Sequence, residues 1–190
     1  DGADSISIGG SLSAGYIQGN KGNDVLNVST AVKGSSSVRG GAGNDNIELD
    51  TSVTGSTVYG DLGKDTIKIG TAVLGSVIQG GSNSDTTTDG IDSISIGGSF
   101  SASTAQANAG NDTMHIVGSI VGASTVRGGA GADLITTSGG VNASQVLGDA
   151  GGDQLALGGV VDTDVFTKAL VQGNSGNDTI QVAGRFLTSS

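Results

Sequence analysis

The chain has 190 residues, 36 of them Gly, with no Pro or Trp and only 3 Phe and 2 Tyr, so it lacks the bulky side chains that normally fill a compact globular core. Its formal net charge of −10 argues against a nucleic acid partner. No stretch approaches the roughly 20 consecutive apolar residues of a membrane span, and no basic or signal-like segment opens the chain.

There is no Cys and a single His, His115, which leaves no zinc-ligand set, while the lack of Cys fits either redox compartment. No apolar series recurs at helical spacing, and Gly and β-branched residues dominate, so nothing reads as a helix. What organises the chain is a period. Asp4, Asp24, Asp45, Asp65, Asp92, Asp112, Asp133, Asp153 and Asp178 follow one another at separations of 20, 21, 20, 27, 20, 21, 20 and 25 residues. Self-similarity of this kind marks a repeat array.

The first repeat sets the pattern: Asp4, apolar Ile6 and Ile8, a third apolar residue Leu12, a small residue Ala14, then Ile17 and the turn Gly19-Asn20-Lys21-Gly22-Asn23. From Asp24 the second runs through Leu26, Val28, Val32, Gly34 and Val38 to Gly40-Gly41-Ala42-Gly43-Asn44. The third takes Asp45, Ile47, Leu49, Val53, Gly55 and Val58 to Gly60-Asp61-Leu62-Gly63-Lys64. The fourth takes Asp65, Ile67, Ile69, Val73, Gly75 and Ile78 to Gly80, where seven extra residues intrude and bring Asp85 and Asp89. The fifth, from Asp92, has Ile94, Ile96, Phe100 and Ala102, and its turn carries Ala107 and Asn108 before Gly110, where a left-handed backbone would be costly. The sixth has Asp112, Met114, Ile116, Ile120, Gly122, Val126 and the turn Gly128-Gly129-Ala130-Gly131-Ala132. The seventh has Asp133, Ile135, Val141, Ala143 and Val146, with Thr137 breaking the apolar column, and the turn Gly148-Asp149-Ala150-Gly151. The eighth has Asp153, Leu155, Leu157, Val161, an insertion near 162–166 and the turn Gly173-Asn174-Ser175-Gly176-Asn177. The ninth begins at Asp178 with Ile180, Val182 and Phe186.

Apolar residues two and four positions after each aspartate predict a strand with one buried face. Four apolar columns at one period predict an all-β fold, a right-wound parallel β-roll or β-helix solenoid of about nine coils, each of roughly 20–21 residues. Each coil has room for two strands of about five residues, with the Gly/Asp turn on one edge and a second turn, at the small residue, on the other. At ~4.8 Å per coil the rod is roughly 40 Å long. Residues 1–190 form one solenoid domain. Within it, residues 1–14 match 89–102 at twelve of fourteen positions, and the same offset of 88 pairs Arg39 with Arg127 and Asp61 with Asp149. Four coils therefore form a unit, approximately 1–88, repeated over 89–175. The chain opens inside a repeat and without Met, and it is expected to be a piece of a longer array.

The motif Gly-Gly-x-Gly-x-Asp-x-aliphatic-x, best preserved at 40–48, 128–136, 173–181 and 19–27, resembles the RTX, or haemolysin-type, nonapeptide calcium-binding repeat. The resemblance implies that Asp24, Asp45, Asp65, Asp112, Asp133, Asp153 and Asp178 supply carboxylates, with Asp4 and Asp92 in altered turns. It implies backbone ligands from Gly19, Asn20, Gly22, Gly40, Gly41, Gly43, Gly60, Asp61, Gly63, Gly80, Gly110, Gly128, Gly129, Gly131, Gly148, Asp149, Gly151, Gly173, Asn174 and Gly176. Here the motif occupies one edge only, so several Ca²⁺ ions in a single column are expected. Physical chemistry points the same way. Carboxylates stacked about 5 Å apart repel by ~1 kcal/mol in water and ~3 kcal/mol at an effective dielectric of 20, and turns offering only carboxylate and carbonyl oxygen suit Ca²⁺ better than Mg²⁺ or zinc. The alternative is that each aspartate simply hydrogen-bonds its turn. The 82–91 segment is read either as a site for an ion of its own or as a flexible loop.

These features predict a chain that folds as calcium binds, secreted or placed on a cell surface, where calcium is plentiful. Three functional classes follow: a structural module resembling RTX-rich surface-layer or adhesin proteins, with self-association or neighbouring copies as partners; the calcium-folded accessory region of a secreted RTX enzyme or toxin; and an enzyme built on the solenoid. The last needs an acid, base and aromatic cluster that breaks the repeat, and the sequence has none, so no enzyme is expected. His115 reads as a solvated surface residue, and Arg39 and Arg127 as salt-bridge or lateral-contact residues. An ice-binding face is poorly supported, because the outward column Ser5, Val25, Asn46, Thr66, Ser93, Thr113, Leu134, Gln154 and Thr179 is too mixed for a threonine ladder.

Overall fold

Apolar residues that recur at one period can all be buried only if like positions stack, and the computed structural model, which describes residues 2–81, 89–158 and 165–187, has that arrangement. Every strand pairing is parallel and in register. Along the first column Ile6 faces Leu26, Leu26 faces Ile47, Ile47 faces Ile67, Ile67 faces Ile94, and Ile94 faces Met114. Met114 then faces Ile135, Ile135 faces Leu155, and Leu155 faces Ile180. Leu26, Ile47, Ile67, Val28 and Leu49 are fully buried, each contributing on the order of 1.5–3 kcal/mol of apolar burial. No helix among the described residues is long and apolar enough to cross a membrane.

Each coil has three sides rather than the two expected from the sequence. A four-residue strand follows the aspartate (Ser5–Ile8, Val25–Val28, Asn46–Leu49 and so on), building a sheet of nine strands. A two-residue strand follows, as in Leu12–Ser13 and Val32–Lys33, building a sheet of six. A longer strand, as in Tyr16–Lys21 and Ser37–Ala42, then runs into the glycine turn and builds a sheet of eight. Eight coils thus carry all of the long side, and the ninth only begins. The second side escaped the sequence reading because two residues hold only one inward position, the third apolar column, which no alternation can reveal.

The small residue ten positions after the aspartate closes the second turn in a left-handed conformation. Its φ is 51° at Ala14, 67° at Gly34, 55° at Gly55, 58° at Gly75, 48° at Ala102, 69° at Gly122 and 47° at Ala143. The two coils one residue longer than their neighbours place the extra residue here, giving a second left-handed residue at Ser35 (φ 62°) and Ala123 (φ 61°). This bulge explains why the fourth apolar column falls at thirteen positions in most coils and at fourteen in these two.

Immediately beyond this turn stands a buried column that the sequence reading missed: Ser36, Ser56, Ser76, Ser103, Ser124 and Ser144. From Ser36 to Ser124 each backbone N–H donates to the hydroxyl of the next coil's serine, at 3.2 Å from Ser36 to Ser56, 3.2 Å from Ser56 to Ser76 and 3.0 Å from Ser76 to Ser103. Each hydroxyl donates in turn to a carbonyl of its own coil, such as Lys33 O at 2.6 Å or Leu74 O at 2.8 Å. The second edge is therefore satisfied throughout by neutral groups.

The third column also differs from expectation at the eighth coil. Val161 lies outside the described residues, and Phe166, fully buried, pairs with Phe186, while its neighbour Thr167 bridges to Asn142. At the break in the apolar alternation, Thr137 is buried and its hydroxyl both donates to Gly139 O (2.9 Å) and accepts from Gly158 N–H (3.0 Å), so the polar atom is fully partnered.

An alanine in the left-handed region carries a Cβ penalty of about 1–2 kcal/mol that glycine avoids. Ala102→Gly and Ala143→Gly are each expected to stabilise the solenoid by about 1 kcal/mol after glycine's own entropic disadvantage. Thermal melts at saturating calcium would reveal this as a raised midpoint, and a lowered one would contradict it.

Candidate metal centre

The opposite edge is built from the glycine turns. The second turn position is left-handed in every regular coil, with φ of 80° at Asn20, 120° at Gly41, 80° at Asp61, 85° at Asn108, 120° at Gly129, 81° at Asp149 and 73° at Asn174. All the non-glycine residues there are Asn or Asp, the side chains that best tolerate this region. Asn108 thus adopts the conformation that its departure from Gly-Gly made doubtful. The fourth position is always glycine because the coils approach closely. A Cβ on Gly43 would sit 2.0 Å from Gly22 O, and one on Gly131 1.7 Å from Gly110 O.

This backbone delivers the aspartates into one buried line. Asp24, Asp45, Asp65, Asp92, Asp112, Asp133 and Asp153 are all buried. Each accepts, through Oδ1, the backbone N–H of the aspartate one coil earlier: Asp4 N to Asp24 at 2.7 Å, Asp24 N to Asp45 at 2.7 Å, Asp45 N to Asp65 at 2.8 Å, and Asp65 N to Asp92 at 2.7 Å. The ladder continues through Asp112 (2.7 Å), Asp133 (2.8 Å), Asp153 (2.9 Å) and Asp178 (3.0 Å). Asp92, despite its altered turn, is a full member. Asp4 ends the line with an exposed side chain.

The other carboxylate oxygen is different. Oδ2 of Asp24, Asp45, Asp65, Asp92, Asp112, Asp133 and Asp153 is buried with no hydrogen-bond partner. In every one of these turns but that of Asp112, where Ala107 stands in its place, Oδ2 points at the first glycine of its own turn, and at most of them a carbonyl of the next coil also converges. A Cβ on Gly40 would lie 2.4 Å from Asp45 Oδ2 and 2.7 Å from Gly60 O, one on Gly60 2.5 Å from Asp65 Oδ2 and 2.2 Å from Gly80 O, and one on Gly128 2.4 Å from Asp133 Oδ2 and 2.7 Å from Gly148 O. Gly19 and Gly80 stand in the same relation to Asp24 and Asp92, and Gly148 and Gly173 lie as close to Oδ2 of Asp153 and Asp178. Carboxylate and carbonyl oxygens with no proton between them form a cradle for a hard cation.

Among the described residues there is no cluster of three or more His, Cys, Asp or Glu, as expected where each turn gives one carboxylate and the remaining ligands are backbone carbonyls. His115 is spent elsewhere, its Nδ1 lying 2.7 Å from Thr136 Oγ1. The fit is to Ca²⁺, whose oxygen coordination is flexible enough to use turn carbonyls.

Two of the turn residues stand apart from the aspartate line. Asp61 and Asp149 keep their place in the turn backbone, and their carboxylates are held by arginines on the adjacent strand of the same side, one coil earlier. Arg39 Nε donates to Asp61 Oδ2 at 2.8 Å and Arg127 Nε to Asp149 Oδ2 at 2.8 Å, with a second bond from Nη2 in each pair. Their part in the cradle is therefore limited to backbone oxygen. The Arg39 guanidinium also lies over the Tyr59 ring, 4.9 Å from its centroid. Just before the aspartates a shorter exposed ladder of Asn23, Asn44 and Asn111 accepts the N–H of Asn44, Lys64 and Ala132 at 2.8, 3.0 and 2.8 Å. Its signal in the sequence is the recurrent Asn-Asp pair.

Burial pushes the carboxyl of Asp65 up to about 7, Asp92 to about 8, Asp112 to about 6 and Asp133 to about 7. Asp45 and Asp153 are raised as well, for the same first reason. Neighbouring carboxylates add to the effect, and the accepted N–H opposes it. A buried line of anions thus calls for either protons or a cation.

Fold and site together define a calcium-repeat β-solenoid. The RTX calcium-binding nonapeptide repeat matches in four copies, at residues 10–29, 31–51, 121–155 and 170–182, so the chain carries RTX calcium-binding repeats. No curated protein matches it. Among solved structures it is similar to a hyperactive, Ca²⁺-dependent, β-helical antifreeze protein from an Antarctic bacterium, at 22% identity and a TM-score of 0.63 over 96% of this chain. The chain spans 61% of that protein's length, and at this identity the likeness concerns the fold.

The glycine cradle makes a direct prediction. Gly128→Ala places a methyl between Asp133 Oδ2 and Gly148 O without demanding a new backbone conformation, and it is expected to lower the number of calcium ions bound, as counted by isothermal titration calorimetry. A second prediction concerns pH. Carboxyls raised in the folded chain stabilise it when protonated, so with calcium chelated their contribution is complete below the ordinary carboxylate value near 4 and is lost as pH rises through about 6 to 8. Chelator-treated protein is expected to gain β signal and thermal stability as pH falls from about 8 to 5. Calcium affinity should weaken over the same window, because protons compete for the same oxygens. Melts that do not respond to pH would contradict the burial of this line.

Proposed function

We propose that the chain is a structural module of a secreted or cell-surface bacterial protein, of the surface-layer or adhesin kind, that folds when calcium binds and has no catalytic role of its own. The observation that carries this reading is the uninterrupted aspartate ladder, whose outer oxygens lack partners from Asp24 to Asp153. A regular rod stabilised along its whole length suits a load-bearing or spacing role. Extracellular calcium modules bind at ~10⁻⁴–10⁻³ M, so such a chain stays unfolded at cytosolic calcium and sets outside the cell. An ice-binding role, as in the antifreeze neighbour, is not our reading, since the outward residues after each aspartate mix Val25, Asn46, Leu134 and Gln154 with Ser and Thr.

The test is far-UV circular dichroism of chelator-treated protein titrated with Ca²⁺, with Mg²⁺ as control. The expected result is a cooperative coil-to-β transition with Ca²⁺ alone, at a midpoint of about 10⁻⁴–10⁻³ M. An unchanged β spectrum in excess chelator would reduce the aspartates to turn-forming residues, and a submicromolar midpoint would remove the inside-to-outside switch.

A further inference from the structure

The fifth glycine turn departs from all the others, and so does the turn before it. Ala107 occupies the first glycine position and is buried, so its methyl stands where the cradle beside Asp112 Oδ2 would be. In the preceding turn the 27-residue spacing between Asp65 and Asp92 places an acid, Asp89, directly before the fourth glycine, Gly90, a position that no other complete turn fills with an acid.

Asp89 lies against this altered turn. Its carboxylate covers Gly81 so closely that a Cβ there would meet Oδ2 at 1.9 Å and Oδ1 at 2.1 Å. It accepts the N–H of Gly90 at 3.2 Å and that of Ala109, from the next coil, at 3.3 Å. Asn108 lies against Gly81 as well, since its Nδ2 donates to Gly81 O. The amide is only 5% exposed, and its Oδ1 is buried with no hydrogen-bond partner. Asn20 holds the equivalent position 88 residues earlier with the same left-handed backbone, yet it is exposed. What differs is the cover supplied by Gly81 and Asp89.

We propose that Asp89 and Asn108 form a further calcium site beside the aspartate column, with the Asp89 carboxylate and Asn108 Oδ1 as its side-chain ligands. The chemistry is that of a hard cation: an anionic oxygen and a neutral amide oxygen, brought together against a glycine whose own carbonyl is already taken by the Asn108 amide N–H. The methyl of Ala107 closes the regular cradle of that turn, and the inserted acid opens a site outside it. The charge on Asp89 is also felt at Asp65, Asp92 and Asp112, each of which it raises after the larger effect of burial, so a cation here relieves the column at its most crowded point. The inference rests on calcium binding by the chain as a whole.

The experiment is native mass spectrometry of the calcium-loaded chain, which counts ions as integers, on the parent and on Asp89→Ala, Asn108→Gly and the double variant. Asn108→Gly restores the residue that Gly41 and Gly129 hold at this position, so it keeps the turn while removing the amide oxygen. Each variant is expected to bind one ion fewer than the parent with an unchanged circular dichroism spectrum at saturating calcium, and the double variant is expected to lose no more than either single. An unchanged count in Asn108→Gly, or in Asp89→Ala, would overturn the site while leaving the column intact. A parent that binds no calcium would instead bring down the calcium reading itself. Should Asp89→Ala lose its β signal, Asp89→Asn with Asn108→Gly decides the matter in the same way.

Discussion

Everything along one edge of this solenoid depends on a single contact repeated coil after coil, the backbone N–H of one aspartate donating to the carboxylate of the next. The contact fixes which oxygen of each carboxylate is used and which is left over. It also draws the aspartates out of water, since the turn that presents the N–H is itself covered by the next coil. Like charges about 5 Å apart repel by ~3 kcal/mol at an effective dielectric of 20. The ladder therefore stabilises the stack through hydrogen bonds and destabilises it through charge, and only a neutralising ion or proton lets the first effect prevail.

The serine edge provides the internal comparison. It solves the same geometric problem, an acceptor for one backbone N–H per coil, with hydroxyls such as those of Ser56 and Ser76 that also donate to carbonyls of their own coils. Among the described residues no buried serine hydroxyl on that edge lacks a partner. If the aspartates served only as acceptors, serine or asparagine would do as well at far smaller electrostatic cost. The buried, unpartnered Oδ2 line is what distinguishes the two edges, and it confines the metal-seeking carboxylates to one side of the rod.

Much of this was legible in the sequence, and the omissions have physical causes. The period, the first apolar columns and the aspartate line were readable because each position repeats the same residue class. The short second side was not, because two residues cannot alternate. The serine column was overlooked because Ser is common throughout the chain, although its recurrence just after the left-handed residue was the available signal. Phe166 could not be placed because an insertion displaces it from the regular spacing. Asp61 and Asp149 were readable as turn positions, while the bidentate arginine from the preceding coil that takes their carboxylates was legible only as the shared 88-residue offset of Arg39 with Arg127 and of Asp61 with Asp149. Sequence spacing cannot indicate to which side a turn residue points when its backbone is left-handed.

The insertions show how firmly the ladder sets the register. Asp65 and Asp92 are 27 residues apart, and Asp153 and Asp178 are 25 apart, yet their hydrogen bonds are 2.7 and 3.0 Å, like those of the regular coils. Ile67 still faces Ile94 and Leu155 still faces Ile180. The register is thus kept across both longer spacings, because a slip of one residue would turn every apolar side chain to the wrong face and leave the aspartate N–H without its acceptor. Both constraints act at the same positions, since the aspartate immediately precedes the first strand of each coil. The same stretch of chain that carries the metal-seeking oxygen also sets the alignment of the core, and so binding at the edge and packing in the interior cannot be separated.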